Sequence, residues 1–349
     1  MLRTTCLSLA GLFVFASQVR AQHPGGPPPA PQVVEGEDFR VYDGKGDSRS
    51  FADILAALDE AEAVLVGETH DDAVGHGVEA QLFIRAVERV GDLTPEGEGR
   101  PVVLSLEMFE RDVQYILDEY LHGLITEDQF ERSTRPWDRY ASDYRPMVEF
   151  ARAHHIPVVA ANAPRRYVNR VSRLGPQSLD SLSSEARSFL PPLPYPGPSK
   201  AYKAQWDSLM AEMMQGMGSS ADTSEAPDSS GGGSAGAGGA GGRQASAPPI
   251  HDMSNALMAQ ALWDASMGEA VAHALKEHPG ALVIHYAGSF HVERGTGIPE
   301  RVRDYRPGTR VLTVVLQPTG DIDAWDDDFR GLGDFVVLTR KPEESPSGR

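Results

Sequence analysis

The sequence predicts an α/β domain, a mostly parallel sheet flanked by helices, with an appended helical lobe. Short β-branched apolar runs alternate with segments whose apolar residues recur three and four apart, the spacing of one helix face. The runs are mostly continuous rather than alternating, which is how strands covered on both faces read. A third observation points toward function, since four of the runs lead directly into polar residues with chemical capability.

In chain order, residues 1–21 read as a secretory signal peptide. Arg3 supplies a positive start, 7–19 form a mostly apolar run too short to span a bilayer, and Val19-Arg20-Ala21 is a small-residue cleavage pattern. Residues 22–37 are Pro/Gly-rich and expected to be a flexible spacer. The folded domain is expected over 38–341, with a polar, loose tail at 342–349. Strands are expected at 63–67, 102–106, 157–161, 281–287, 311–316 and 335–338, and helices at 77–90, 112–121, 147–154 and 255–276. An insertion at about 215–249 contains "SSGGGSAGAGGAGG", too poor in apolar surface to offset its ordering entropy, and is expected to be disordered. Helical patterning resumes at Asn255, so the insertion interrupts one domain rather than separating two. The stretch from about 178 to 260, Pro-rich and then helical, supplies the appended lobe.

The 349 residues are 40% hydrophobic, enough for a substantial core. The one cysteine, Cys6, lies in the leader, so disulfides, thiolate ligands and a Cys nucleophile are excluded for the mature chain. The formal charge is −18, and loss of Arg3 and Arg20 with the leader makes it −20. That sign disfavours nucleic acid as a partner. No later segment is long and apolar enough for a transmembrane helix.

The strand ends carry the chemistry. The first run leads into Glu68 and His70, the second into Glu107, the third into Asn162 with Arg165 just beyond, and the fourth into Ser289 and His291. In parallel sheets the carboxyl ends of the strands share one edge, and ligands bind there. Each residue has an ordinary alternative. Glu68 or His70 could cap the next helix, Glu107 could pair with Arg111 four residues on, Asn162 suits a turn, and His291 could be a satisfied loop histidine. Their convergence favours a site. Glu68, His70, Glu107 and His291 suit a divalent metal such as Mn, Zn or Fe with open positions. Without metal, the carboxylates could divide into acid and base, with Arg165 holding an anionic group. Asp71 and Asp72 read as caps for the helix that follows, and His154-His155 as surface.

In "PWDRYASDYRP", Trp137, Tyr140 and Tyr144 are spaced to form an aromatic helical stripe, which belongs either to the core or to a cofactor site. A Tyr phenolate can ligate haem iron, and Arg139 and Arg145 could meet propionates. His251 and Met253 offer further axial ligands, or simply a helix start.

The ordered set "VLVGETHDD", "LSLEMFERDVQ", "RPWDRYASDYRPMVEFA", "IPVVAANAPR", "AQALWDASM" and "HYAGSFHVERGTGIPERV" resembles the ChaN-like haem-binding uptake family, within the Tiki superfamily. The resemblance covers most of residues 39–316 apart from the insertion. It implies an α/β fold and an exported or cell-surface protein that binds haem through a Tyr, forms a homodimer, and works with haem or iron-uptake machinery at the cell envelope. Tyr140 or Tyr144 would be the iron ligand. More distant superfamily members are metal-dependent peptidases or hydrolases that use the His after the first strand, here His70, with Glu68, Glu107 and His291 nearby. Many family members are lipoproteins, but no lipobox precedes Cys6, so a lipid anchor is not expected.

Overall fold

The computed structural model describes residues 32–91, 93, 99–219 and 253–341. The expected leader and tail, all but the last residues of the spacer, and most of the insertion lie outside them. Eight strands form one sheet in the order β2-β1-β8-β7-β3-β6-β4-β5. The six expected strands are β3 (Ala63–Glu68), β4 (Val102–Glu110), β5 (Val158–Asn162), β6 (Leu282–Gly288), β7 (Val311–Thr319) and β8 (Phe335–Arg340), all mutually parallel. β1 (Phe39–Asp43) and β2 (Ser48–Arg49) extend the sheet beyond β8 as antiparallel strands.

The continuous apolar runs are explained by burial on both faces. Val64 and Val66 of β3 point into one core with Leu104, Leu106, Ile284 and Tyr286, while Ala63 and Leu65 point into the opposite core with Val103 and Val283. The first core is roofed by α2 (Ala73–Val90), α3 (Gln114–Leu121), α4 (Glu127–Thr134), α5 (Tyr140–Asp143) and α6 (Arg145–Ala153), together with α1 (Phe51–Ala57). The other is covered by α10 (Met253–Glu277) and α11 (Ile298–Tyr305). α7 (Arg165–Leu174) packs beside α10 over a third cluster that includes Leu190 and Tyr195. α8 (Ser184–Arg187) lies between them in the chain, and α9 (Lys200–Ser219) sets Tyr202 against Phe290. α9 thus carries helical structure past residue 215, where the insertion was expected to begin.

Two local features shape the functional edge. Asp72 caps α2, its Oδ1 accepting from the Val74 N–H at 3.1 Å, so the helix starts four residues before the expected Gly77. Asp71 is exposed and takes no part in the cap. The β4–β5 register shifts between Leu106 and Glu110, where four residues of β4 advance while β5 advances two. Glu107 therefore sits in a bulge inside β4, the kind of irregularity that re-aims a side chain at a sheet's end.

Candidate functional site

The sheet order places the expected polar residues side by side. Glu68 ends β3, Gly288 ends the adjacent β6, Glu107 lies near the end of β4, and Asn162 ends β5. His291 follows β6 in a 3-10 turn at Ser289–His291. The main-chain N–H of Gly288 donates to Glu107 Oε2 at 2.8 Å. A Cβ on Gly288 would stand 3.0 Å from His70 Cε1 and 3.8 Å from Glu107 Oε2, so this glycine is the floor beneath both side chains. Glu107 does not pair with Arg111, which instead reaches α10, donating to Glu269 and to the Ser266 carbonyl.

Glu68 is the hub. Its side chain is 1% exposed, and Oε1 takes His70 Nδ1 at 2.6 Å and the Tyr144 hydroxyl at 2.8 Å. Glu68 Oε2 lies 3.0 Å from His76 Nδ1. His76 Nδ1 is also 3.0 Å from Glu79 Oε2, and its Nε2 lies 3.2 Å from the His70 carbonyl and 3.4 Å from Asp143 Oδ2. His70 is different in kind, because half of its side chain is exposed and, among the described residues, only its Nδ1 is bonded. The Trp137 ring stands edge-on to it at 4.7 Å.

Electrostatics follow from this packing. Burial works to raise the Glu68 carboxyl, but hydrogen bonds from His70 and His76 outweigh it and hold the group down at about 2. Burial works to lower His76, yet Glu68 and Glu79 push it up to about 11. Glu79 is raised to about 8 by its own burial and then by the charge of Glu68. At the neighbouring strand end His291 Nδ1 bonds Asp264 Oδ1 at 2.6 Å, which overcomes burial and raises the imidazole to about 9. His285, inside β6, is lowered to about 3 by burial and by the charge of His291, with Nδ1 2.8 Å from Ser105 Oγ.

Other expected residues are spread more widely. Asn162 is buried at the edge, and its Oδ1 has no partner among the described residues. Arg165 is exposed on the first turn of α7, whereas its neighbour Arg166 reaches Asp112. The aromatic stripe is not continuous, because Trp137 precedes the four-residue α5 and a second helix, α6, begins at Arg145-Pro146. Tyr140 turns into the core against Phe109 and Phe130, while Tyr144 faces His76 and Glu68. Arg145 is paired with Glu127 rather than aimed at the cluster. His251 and the Met253 side chain lie outside the described residues.

Three participants were not expected from the sequence, namely His76, Glu79 and Asp264. His76 and Glu79 are three apart on the first turns of α2, a spacing legible once Asp72 is recognised as the cap. Asp264 sits within α10, inside the quoted "AQALWDASM", but nothing in its spacing singled it out.

The family model described as "Haem-binding uptake, Tiki superfamily, ChaN" matches residues 54–302. The chain belongs to this family. Among solved structures, ChaN of Campylobacter jejuni, described with cofacial haem binding, is 17% identical with a TM-score of 0.60, covering 89% of this chain and 100% of that one. That likeness supports the ChaN fold, including the parallel sheet. An erythromycin esterase variant in its open conformation is 12% identical with a TM-score of 0.41, covering 86% of this chain and 82% of that one. The type III effector HopBA1 is 10% identical with a TM-score of 0.40, covering 83% and 92%. No curated protein matches. Among the described residues of this ChaN-family chain, no helix is long and apolar enough to cross a membrane.

Proposed function

We propose that this chain binds haem at the carboxyl edge of its sheet, with His70 as the iron ligand, and acts in haem or iron uptake outside the cytoplasm. Family membership supplies the ligand class, and the leader-like residues 1–21 support export. The observation that carries the site is His70 itself. Its Nδ1 is tied to a buried carboxylate, which sets the tautomer and strengthens Nε2 as a donor, while half of the side chain remains open. Trp137 offers an aromatic wall beside it, and Arg165, exposed and without an ion pair among the described residues, suits a propionate. In an uptake protein the haem is cargo, and its iron needs one good axial donor from the chain.

The tyrosines fit that role less well. Tyr144 is 1% exposed and donates to Glu68, and burial followed by the charge of Glu68 raises its phenol far above the ordinary value. A phenolate there would face a carboxylate. Tyr140 is raised well above its ordinary value too, chiefly by burial.

Haemin titration of the full chain tests the proposal. A saturable Soret shift that disappears in His70→Ala and survives in Tyr140→Phe is expected; a shift indifferent to His70 would overturn it. Cell fractionation with N-terminal sequencing tests export and cleavage after Ala21. Sedimentation with and without haemin tests the homodimer.

The buried Asp264–His291 pair beside Glu107 favours a second reading, a metal-dependent hydrolase using Glu68, His70, Glu107 and His291. Ester or peptide hydrolysis abolished by Glu107→Gln and His291→Asn would support it, and metal-independent inactivity toward both substrate classes would count against it.

A further inference from the structure

His76 presents an arrangement that neither the haem reading nor the hydrolase reading uses. Its Nε2 faces only acceptors, the His70 carbonyl at 3.2 Å and Asp143 Oδ2 at 3.4 Å, so that nitrogen carries a proton. Asp143 is itself held by Arg139 at 2.8 Å and by the Ser142 hydroxyl at 2.7 Å. The imidazole is therefore oriented from behind by a carboxylate and a carbonyl, the arrangement that fixes metal-ligating histidines. Its other nitrogen, Nδ1, points at two carboxylates at once, with Glu68 Oε2 and Glu79 Oε2 each 3.0 Å away.

A single N–H on Nδ1 serves one of those oxygens at best. Glu79 Oε1 is buried and has no hydrogen-bond partner among the described residues, and Glu68 Oε2, also buried, has none beyond that shared Nδ1. The other oxygen of Glu68 is already engaged by His70 and Tyr144. Glu68, His76 and Glu79 are all buried, and one donor atom from each falls within 4.8 Å of the others. Ligands about 2.1 Å from one ion lie roughly 3.0 Å apart at right angles and about 3.5 Å apart in a tetrahedron. The separations around Nδ1 match.

We propose that Glu68 Oε2, His76 Nδ1 and a carboxylate oxygen of Glu79 form a buried site for one divalent transition ion of the Mn2+, Fe2+ or Zn2+ class. Two carboxylates neutralise the ion's charge, and one imidazole with two oxygens suits borderline to hard cations. His70 is outside this set and contributes through Glu68 Oε1 and its own backbone carbonyl. The site is thus distinct from the haem ligand, although both lean on Glu68.

The full chain, stripped with chelator, is refolded with one equivalent of Mn2+ or of Zn2+, desalted and analysed for metal. About one ion per chain is expected. Glu79→Gln and His76→Gln are expected to weaken binding by more than the roughly 10–100-fold typical of a lost outer partner. His70→Ala is expected to keep the ion while losing haemin binding, which separates this site from the haem proposal. Nitrogen coupling in the pulsed-EPR spectrum of the Mn2+ form reports a bound imidazole without any variant. A wild-type chain that refolds metal-free in both ions, binding unchanged in Glu79→Gln, or an Mn2+ spectrum without nitrogen coupling would each overturn the assignment.

Discussion

Tyr144→Phe isolates one hydrogen bond at the hub of the cluster. The ring is 1% exposed and a phenylalanine fills the same volume, so no cavity is created. What is lost is the hydroxyl that donates to Glu68 Oε1 at 2.8 Å, leaving that oxygen with His70 alone. A hydrogen bond to a charged group contributes about 1.5–3 kcal/mol, and a buried carboxylate belongs to the upper part of that range. Relief of burying a hydroxyl offsets some of this, so a net loss of about 2 kcal/mol is expected in urea denaturation, with the m-value unchanged. On the proposal that His70 is the iron ligand, the Soret shift with haemin should persist, because the phenol then serves only to support Glu68. A loss below about 0.5 kcal/mol would remove the hydroxyl from the hub. Collapse of the Soret band with the fold intact would return the iron to Tyr144.

Gly288→Ala places a methyl 3.0 Å from His70 Cε1. The half-exposed imidazole must swing away, so haemin affinity is expected to fall about tenfold, equivalent to about 1.4 kcal/mol, with little change in melting temperature. His291 is raised from 6.5 to about 9 by Asp264, so its stabilisation is complete below pH 6.5 and disappears as pH rises through 9. Stability should decline by on the order of 3 kcal/mol across that window, and Asp264→Asn should flatten the slope in pH-dependent urea melts. Phe130 stacks on Tyr120 at 4.4 Å and is fully buried. Its replacement by Ala should cost about 3–5 kcal/mol in the same assay.

Strand positions were legible because burial on both faces leaves a continuous apolar run, and each of the six expected strands overlaps an observed one. β1 escaped notice because "FRVYD" carries two charges in five residues and gains its place only by pairing with β8. Glu68, His70, Glu107, Asn162 and His291 were legible because each follows such a run. His76 and Glu79 were hidden by Gly75 and Gly77, whose poor helix propensity argued for a later start to α2. The Asp72 cap and packing of the helix on the sheet overrode that propensity. Asp264 meets His291 from 27 residues away, a pairing that only the tertiary fold creates.

The cap of α2 has one more tie. Thr339 Oγ1, in the last strand, donates to Asp72 Oδ2 at 2.5 Å across 267 residues of chain. The turn that presents His70 and the helix start that presents His76 therefore share an anchor supplied by a strand made long after them. A nascent chain has Asp72 and Val74 early, but it acquires the second bond of the cap only after β8 has joined β7 and β1. Contacts of such separation are slow to form, because closing a long loop precedes the gain from the contact. Completion of the candidate edge is thereby coupled to the docking of β8, and a polypeptide truncated before Thr339 lacks the bond that joins the start of α2, just past the end of β3, to β8.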